Sequence, residues 1–310
     1  MSSEIERAYK YCESVTRFHA KSFYFAARFL SKEKRPAIYA LYALCRHVDD
    51  EVDEAEISGE EKIREAVERW QSKLNEIYAA GDERKLETRN LELETDGDQN
   101  LVFLAWRDFL QKYKIPQSLP LELMKGVLMD TRVNRYETFD ELYVYCYRVA
   151  STVGLMSSEI FGYEKPAALD YAEALGIAMQ MTNILRDVRE DAAMNRIYLP
   201  REDLKKFGVT EGQIFANRAD ENFVELMKFE IERAREFYRK AERGVALLSP
   251  DARFAVLLAA RLYARILDEI ERQNYDVFKR RAHTNFKQKV FALPRIWREA
   301  KKMSADQAGK

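Results

Sequence analysis

Eleven glycines and seven prolines are all that punctuate 310 residues, so the chain has few places to break a helix or turn sharply. Between those breaks Ala, Leu, Glu, Lys and Arg dominate. Apolar residues recur at three- and four-residue intervals, and alternating strand patterns are hard to find. The pattern predicts an all-α chain, with helices near 4–18, 20–29, 33–55, 59–80, 100–113, 119–130, 139–162, 167–190, 201–205, 211–215, 219–247, 251–274 and 286–302. Pro36 falls in the first turn of its helix, where a missing N–H is tolerated. The polar, weakly periodic stretch AAGDERKLETRNLELETDGDQN, 79–100, is the expected loop. The helices on either side of it share one character and no fixed-period repeat stands out, so one helical domain over 1–310 is expected, with a polar loop near 80–100 and a basic tail at 279–310.

Bulk composition excludes several functions. Lys plus Arg number 51 against 52 acidic residues, which leaves no overall electrostatic footprint for nucleic acid. Cys12, Cys45 and Cys146 are too sparse for a disulfide framework and too far apart for a CxxC zinc site, which suits a reducing cytoplasm. The N-terminal MSSEIERAYKYCES has no apolar run for a signal peptide. No stretch of about 18 apolar residues offers a membrane span. Neither GxGxxG nor GxxxxGKS occurs, so a nucleotide-binding loop is not expected.

Two carboxylate clusters stand out because each grows from an apolar run. In LCRHVDDEVDEAE, 44–56, Asp49 and Asp53 are four residues apart and share a helical face, with Asp50 offset. In QMTNILRDVREDAAMNRIYLP, 180–200, Asn183, Asp187 and Asp191 recur every four residues, with Glu190 beside them. Like charges on one face repel by a few tenths of a kcal/mol per pair. Either these faces are solvated, or laced with Arg186 and Arg189, or something positive lies between the carboxylates. Two such helices facing each other would offer oxygen ligands from both sides. Few carboxylates with retained water suit magnesium, and a phosphorylated substrate would complete the shell.

These segments, taken in order, resemble the squalene and phytoene synthase family of head-to-head isoprenoid synthases. HAKSFYFAARFL (19–30) is similar to the family's N-terminal substrate segment. YALYALCRHVDDEVDE (39–54) carries a DDxxD-like first aspartate motif. YCYRVASTVGLMSSEIFG (145–162) and NILRDVREDAAMNRIYLP (183–200) are similar to its two strongest signatures, and ARLYARILDEIERQNYDVFKRR (260–281) to its C-terminal segment. There are two departures. Arg189 replaces a small or variable residue and is expected to point outward, and Ser151 stands where glycine is common.

The resemblance implies a single-domain isoprenoid-synthase bundle with a central cavity. Within it, a magnesium-dependent prenyltransferase (manganese being the substitute metal) would join two allylic diphosphates at their C1 ends through a cyclopropylcarbinyl diphosphate. It assigns metal binding to Asp49, Asp53, Asn183, Asp187 and Asp191, with Glu190 as helper. Ser22, Arg46 and Arg280 would grip diphosphate, His19 would shape that end, and Gln180 would aim the same way as Asn183. Tyr42, Tyr147 and Tyr263 fall at the polar end of the cavity, as catalytic residues alongside Arg46; simple core packing is the other reading for each tyrosine. Ala26 and Ala27 follow Ser22 by one turn. If they line the substrate tail, their small side chains leave depth for a C20 chain; if not, they allow close helix packing. The expectation is geranylgeranyl diphosphate condensed to phytoene in carotenoid biosynthesis, ending in proton loss and without NADPH. The alternatives are a C30 synthase using farnesyl diphosphate, or a non-catalytic helical assembly protein that would have lost its acidic ladders. His47 and His283 are expected to bind no metal. The tail KRRAHTNFKQKVFALPRIWREAKK mixes basic residues with Phe286, Val290, Phe291, Leu293, Ile296 and Trp297. Such a helix either packs on the domain or makes peripheral contact with an anionic membrane surface.

Overall fold

A computed structural model describes residues 3–56, 60–81, 97–284 and 286–308; the side chains at 51–56, 60, 80–81, 286–289 and 304–308 lie outside that description. Most of the expected polar loop falls outside it as well. The chain opens with α1 (Ser3–His19), α2 (Lys21–Ala27), α3 (Arg35–Glu56), α4 (Glu60–Gly81) and α5 (Asp98–Leu110). Their apolar faces close one core, in which Cys12, Leu41, Leu44, Trp70, Leu74 and Trp106 are almost wholly buried. Pro36 sits at the second position of α3, where it leaves the helix intact.

The central stretch comprises α6 (Ser118–Met129), α7 (Phe139–Cys146), a π turn (Tyr147–Ser151), α8 (Thr152–Phe161), α9 (Ala168–Arg186) and α10 (Val188–Ala193). There follow α11 (Arg201–Phe207), α12 (Glu211–Phe215), α13 (Glu221–Gly244), a 3-10 turn (Val245–Leu247), α14 (Pro250–Arg272) and α15 (Phe286–Ala308). A second core joins α9 to α13 and α14 through Ile177, Met181, Leu226, Ile231 and Leu267. A third gathers α2, α14 and α15 around Ala26, Leu257, Leu262, Ala292 and Ile296. Among the described residues the only β-pairing is two isolated bridges, Arg135 with Ile197 and Tyr163 with Leu248, so the all-α expectation holds.

Two expected helices are interrupted, both beside the site. The helix expected over 139–162 contains the π turn at Tyr147–Ser151, a feature that concentrates at functional positions. Here α9 passes so close that a Cβ on Gly176 would lie 2.4 Å from the Ser151 Cα; only glycine fits. Ser151 is buried and donates its hydroxyl to the Glu173 carbonyl at 2.8 Å, so this departure is absorbed without loss of packing. The helix expected over 167–190 stops at Arg186. Asp187 has φ −105° and ψ 14°, and α10 starts after it. Hydrogen bonds from Asp187 N to Asn183 O and from Asp191 N to Asp187 O, each 2.9 Å, carry the four-residue ladder across the break.

Candidate functional site

The ends of α3 and α9, with α10, α6, α7 and the loop after α14, enclose a cavity of about 470 Å³. Asp49, Arg46 and Cys45 line it from α3; Gln180, Asn183, Arg186, Asp187, Glu190 and Asp191 line it from the α9–α10 ladder. Asp49 of the first acidic cluster and the α9–α10 ladder therefore line one cavity, while Asp50 is not in its wall. Asp53 lies in α3, one turn beyond Asp49, but its side chain is outside the described residues. Leu123, Val127, Val149 and Ile184 supply apolar wall.

Two of the carboxylates, Asp50 and Asp187, are held by cations already in the chain. Arg46 forms a two-pronged ion pair with Asp50, one turn on in α3. Asp187 receives Arg186 at 2.8 and 2.5 Å and Arg281 at 2.6 and 2.9 Å. Burial works to raise the pKa of Asp187, but these hydrogen bonds outweigh it and hold the carboxyl below its ordinary value. Arg186 therefore pairs with its neighbour rather than along an i,i+4 row. Arg189 is exposed and donates to the Phe278 carbonyl at 3.0 Å, outside the cavity lining. Asp191 differs: burial first, then the charges of Asp187 and Asp130, push it up to about 7.

One of the expected diphosphate-binding residues is not brought to the cavity wall. Arg280 is exposed and does not line the cavity; its neighbour Arg281 does. Residues 273–284 are not helical, and Asn274 and Tyr275 take positive φ. No helical period aims side chains there, so the spacing could not separate the two arginines.

Tyr263 reaches the site, donating its hydroxyl to Asn183 Oδ1 at 2.8 Å, while Asn183 Nδ2 donates to Gln180 Oε1 at 3.1 Å. This chain fixes the amide of Asn183 beside the aspartates. Tyr42 is half-buried and stacked on Phe23. Burial raises its pKa, the Arg46 charge opposes that, and the charges of Asp49 and Tyr263 add to it. It thus sits within electrostatic range of the cluster without lining the cavity. Tyr147 lies in the π turn, also outside the lining. His19 is exposed against Phe18, and Ser22 is half-buried; neither lines the cavity. Ala27 is packed in the first core and Ala26 in the third, so close helix packing accounts for both. His47 is spoken for by Tyr11, at 2.9 Å from its hydroxyl.

Asp130, Tyr145 and Tyr198 escaped the sequence reading. Tyr145 and Tyr198 donate their hydroxyls to the two Asp130 oxygens at 3.0 and 2.7 Å, and all three line the cavity. The rings stack at 5.1 Å, with Tyr136 against both. Burial and the Asp130 charge drive both phenol pKa values far upward, so both keep their protons. Asp130 ends the apolar run LELMKGVLMD, as Asp49 and Asp187 end theirs, but no second acid one turn away marks it.

A sequence model described as squalene/phytoene synthase matches residues 16–288. The chain belongs to the squalene/phytoene synthase family. It is 41% identical to a phytoene synthase of Arthrospira platensis over 300 residues, covering 93% of this chain and 91% of that protein. It is 38% identical to a 15-cis-phytoene synthase of Synechococcus elongatus, covering 94% and 93%. Its fold matches a dehydrosqualene synthase crystal structure with TM-score 0.84 and 30% identity, over 96% of this chain and 98% of that one. A squalene synthase, HpnC from Alicyclobacillus acidocaldarius, follows at TM-score 0.75 and 27% identity, over 89% and 97%. The isoprenoid-synthase fold expected from the motifs is the fold of the chain.

The donor set also bears on a metal. Among the described residues no group of three or more His, Cys, Asp or Glu side chains is placed to hold a metal ion by itself. The cavity instead offers oxygen donors from both walls, and Asp191 is burdened by neighbouring carboxylates. A hard cation that keeps water and shares substrate oxygens fits that chemistry.

Proposed function

We propose that this chain condenses two molecules of geranylgeranyl diphosphate head to head to phytoene, with magnesium or manganese bound by Asp49, Asp53, Asn183, Asp187 and Asp191. The observation that carries the reading is the convergence of both aspartate helices and three cavity-lining arginines, Arg46, Arg186 and Arg281, on one partly apolar cavity. The names of the phytoene synthase relatives favour the C20 substrate. Ala27 does not, since it packs in the core.

A metal held by Asp49, Asp53, Asn183, Asp187 and Asp191 would supply Lewis acidity toward the leaving diphosphate. Arg46 and Arg281 take up the charge that grows as the C1–O bond of the first substrate breaks, since a guanidinium fork binds phosphate oxygens bidentately. Leu123, Val127, Val149 and Ile184 keep water from the allylic cation. The double bond of the second substrate attacks that cation, and a proton is lost as the cyclopropane closes. Asp130, which accepts hydrogen bonds from the Tyr145 and Tyr198 hydroxyls, faces the cation from the cavity wall. The second ionisation and rearrangement end in another proton loss, which needs no reductant.

Incubation with geranylgeranyl or farnesyl diphosphate and magnesium, with and without NADPH, tests this. Mass spectrometry of the extracted hydrocarbon should find a C40 polyene from the C20 substrate, unchanged by NADPH. A C30 product alone, in line with the dehydrosqualene synthase neighbour, refutes the chain length. No hydrocarbon from either substrate refutes the enzyme reading.

A further inference from the structure

The helix α15 has two faces of different character. Ala292, Ile296 and Ala300 are buried against the third core, with Leu293 and Met303 beside them. The opposite face keeps Val290, Phe291 and Trp297 at 40%, 81% and 48% exposure. At 100° per residue these fall on the same side as Pro294, Arg298 and Lys301, with Arg295 and Lys302 at its edge; all are exposed. Glu299, the one acid between 290 and 303, is turned aside and occupied by Arg261 and Arg295. A chain of net charge −1 thus concentrates positive charge around solvent-facing aromatic rings, and Lys301 lies 4.2 Å over the Trp297 ring.

We propose that this outward face of α15 docks on an anionic lipid membrane. Charge complementarity selects the partner: basic side chains meet lipid phosphates, while Phe291 and Trp297 enter the boundary between headgroups and acyl chains. No described helix is long and apolar enough to cross a membrane, so the helix lies along the surface. The surface is separate from the cavity residues and does not depend on the reaction proposed above.

Vesicle co-sedimentation tests it with the full chain. Binding is expected to vesicles of equal parts phosphatidylcholine and phosphatidylglycerol, and not to phosphatidylcholine alone. Each basic residue near such a surface is worth roughly fivefold in partitioning, so Arg298→Gln, Lys301→Gln and Lys302→Gln together should weaken binding about a hundredfold. Phe291→Ser with Trp297→Ser should cost about tenfold or more. All five positions are exposed, so circular dichroism should show an unchanged fold. Trp70 and Trp106 are buried, which makes Trp297 the reporter: its emission should shift to the blue and resist aqueous quenchers on anionic vesicles. The proposal is overturned by equal binding to both vesicle types, by binding that survives both sets of substitutions, or by unchanged Trp297 emission. Concentration-dependent self-association abolished by Phe291→Ser, without vesicle binding, would assign the face to a second copy of the chain and overturn it equally.

Discussion

Replacing Arg281 with alanine should separate folding from catalysis. The Arg281 side chain is 55% exposed, and its partner Asp187 keeps the pair with Arg186. An ion pair that open to solvent contributes at most about 1 kcal/mol, so the urea midpoint should move little. Catalysis should respond differently. If the fork transfers from Asp187 to departing diphosphate, its loss removes a preorganised donor worth about 2.7–4 kcal/mol, or roughly a hundred- to a thousandfold in kcat. Arg281→Lys should recover part of this, because it restores charge but not the two-pronged geometry. Arg280→Ala is the internal control: an exposed residue off the cavity should stay within about 0.5 kcal/mol, or two- to threefold. Single-turnover rates for the three variants, beside urea melts, decide the matter. Equal loss in Arg280→Ala and Arg281→Ala would refute the reasoning, as would an Arg281→Ala protein destabilised by several kcal/mol.

Asp49→Asn and Asp187→Asn should retain a folded chain by circular dichroism yet lose most turnover in the chemical step; activity equal to the unmodified chain in chelator-treated buffer would remove the metal assignment. Asp130→Ala strips the acceptor from two buried phenols, at about 1–3 kcal/mol each, so thermal unfolding should fall by several degrees, whereas Asp130→Asn, which still accepts one bond, should lose less. Burial, partly offset by Arg233 and reinforced by Asp203, raises Glu230 from 4.5 to about 8. The folded chain therefore holds that proton more tightly than the unfolded one, and the contribution of Glu230 to stability should be complete below about 4.5 and decline as pH rises toward 8. Glu230→Gln should flatten this component of the slope in pH-dependent melts, and an unchanged slope would count against it.

The parts of the site legible in the sequence were those fixed by local geometry. Asp49 had a visible helical frame, and the ladder at Asn183, Asp187 and Asp191 kept its spacing even where the helix broke, because two backbone hydrogen bonds bridge the break. What stayed hidden depended on contacts distant in sequence. Asp130 carries no ladder of its own; its meaning comes from Tyr145 and Tyr198, 15 and 68 residues away. The π turn left no mark on the apolar pattern; it lies where Gly176 of another helix comes close, a contact no local periodicity records. Ala27 shows the reverse hazard: a small residue near a presumed substrate segment suggested depth, but it fills a gap in the core. Phenylalanine there would overpack that core rather than shorten the cavity. In α15 the apolar residues formed one list in the sequence. The packed helix divides them, taking Leu293 and Ile296 inward and leaving Val290, Phe291 and Trp297 out.

Arg281 and Arg186 are engaged with Asp187, and Arg46 with Asp50. A guanidinium that leaves its aspartate to bind diphosphate strands a half-buried carboxylate, which is costly unless another positive charge arrives. Cation and diphosphate should therefore favour each other's binding, and by reciprocity the coupling must be equal in both directions. Asp191 gives the coupling a proton signature. Held near 7 by burial, Asp187 and Asp130, it is partly protonated at neutral pH and should release that proton when a cation neutralises its surroundings. Calorimetric titration of manganese into the chain, with and without a non-hydrolysable allylic thiodiphosphate, should show tighter manganese binding when the analogue is present. Repeating it in buffers of different ionisation enthalpy should reveal proton release near pH 7 that disappears in Asp191→Asn. Identical manganese affinity in both states would mean that the arginines do not exchange partners, and the aspartate pairs would then be fixed structural ties.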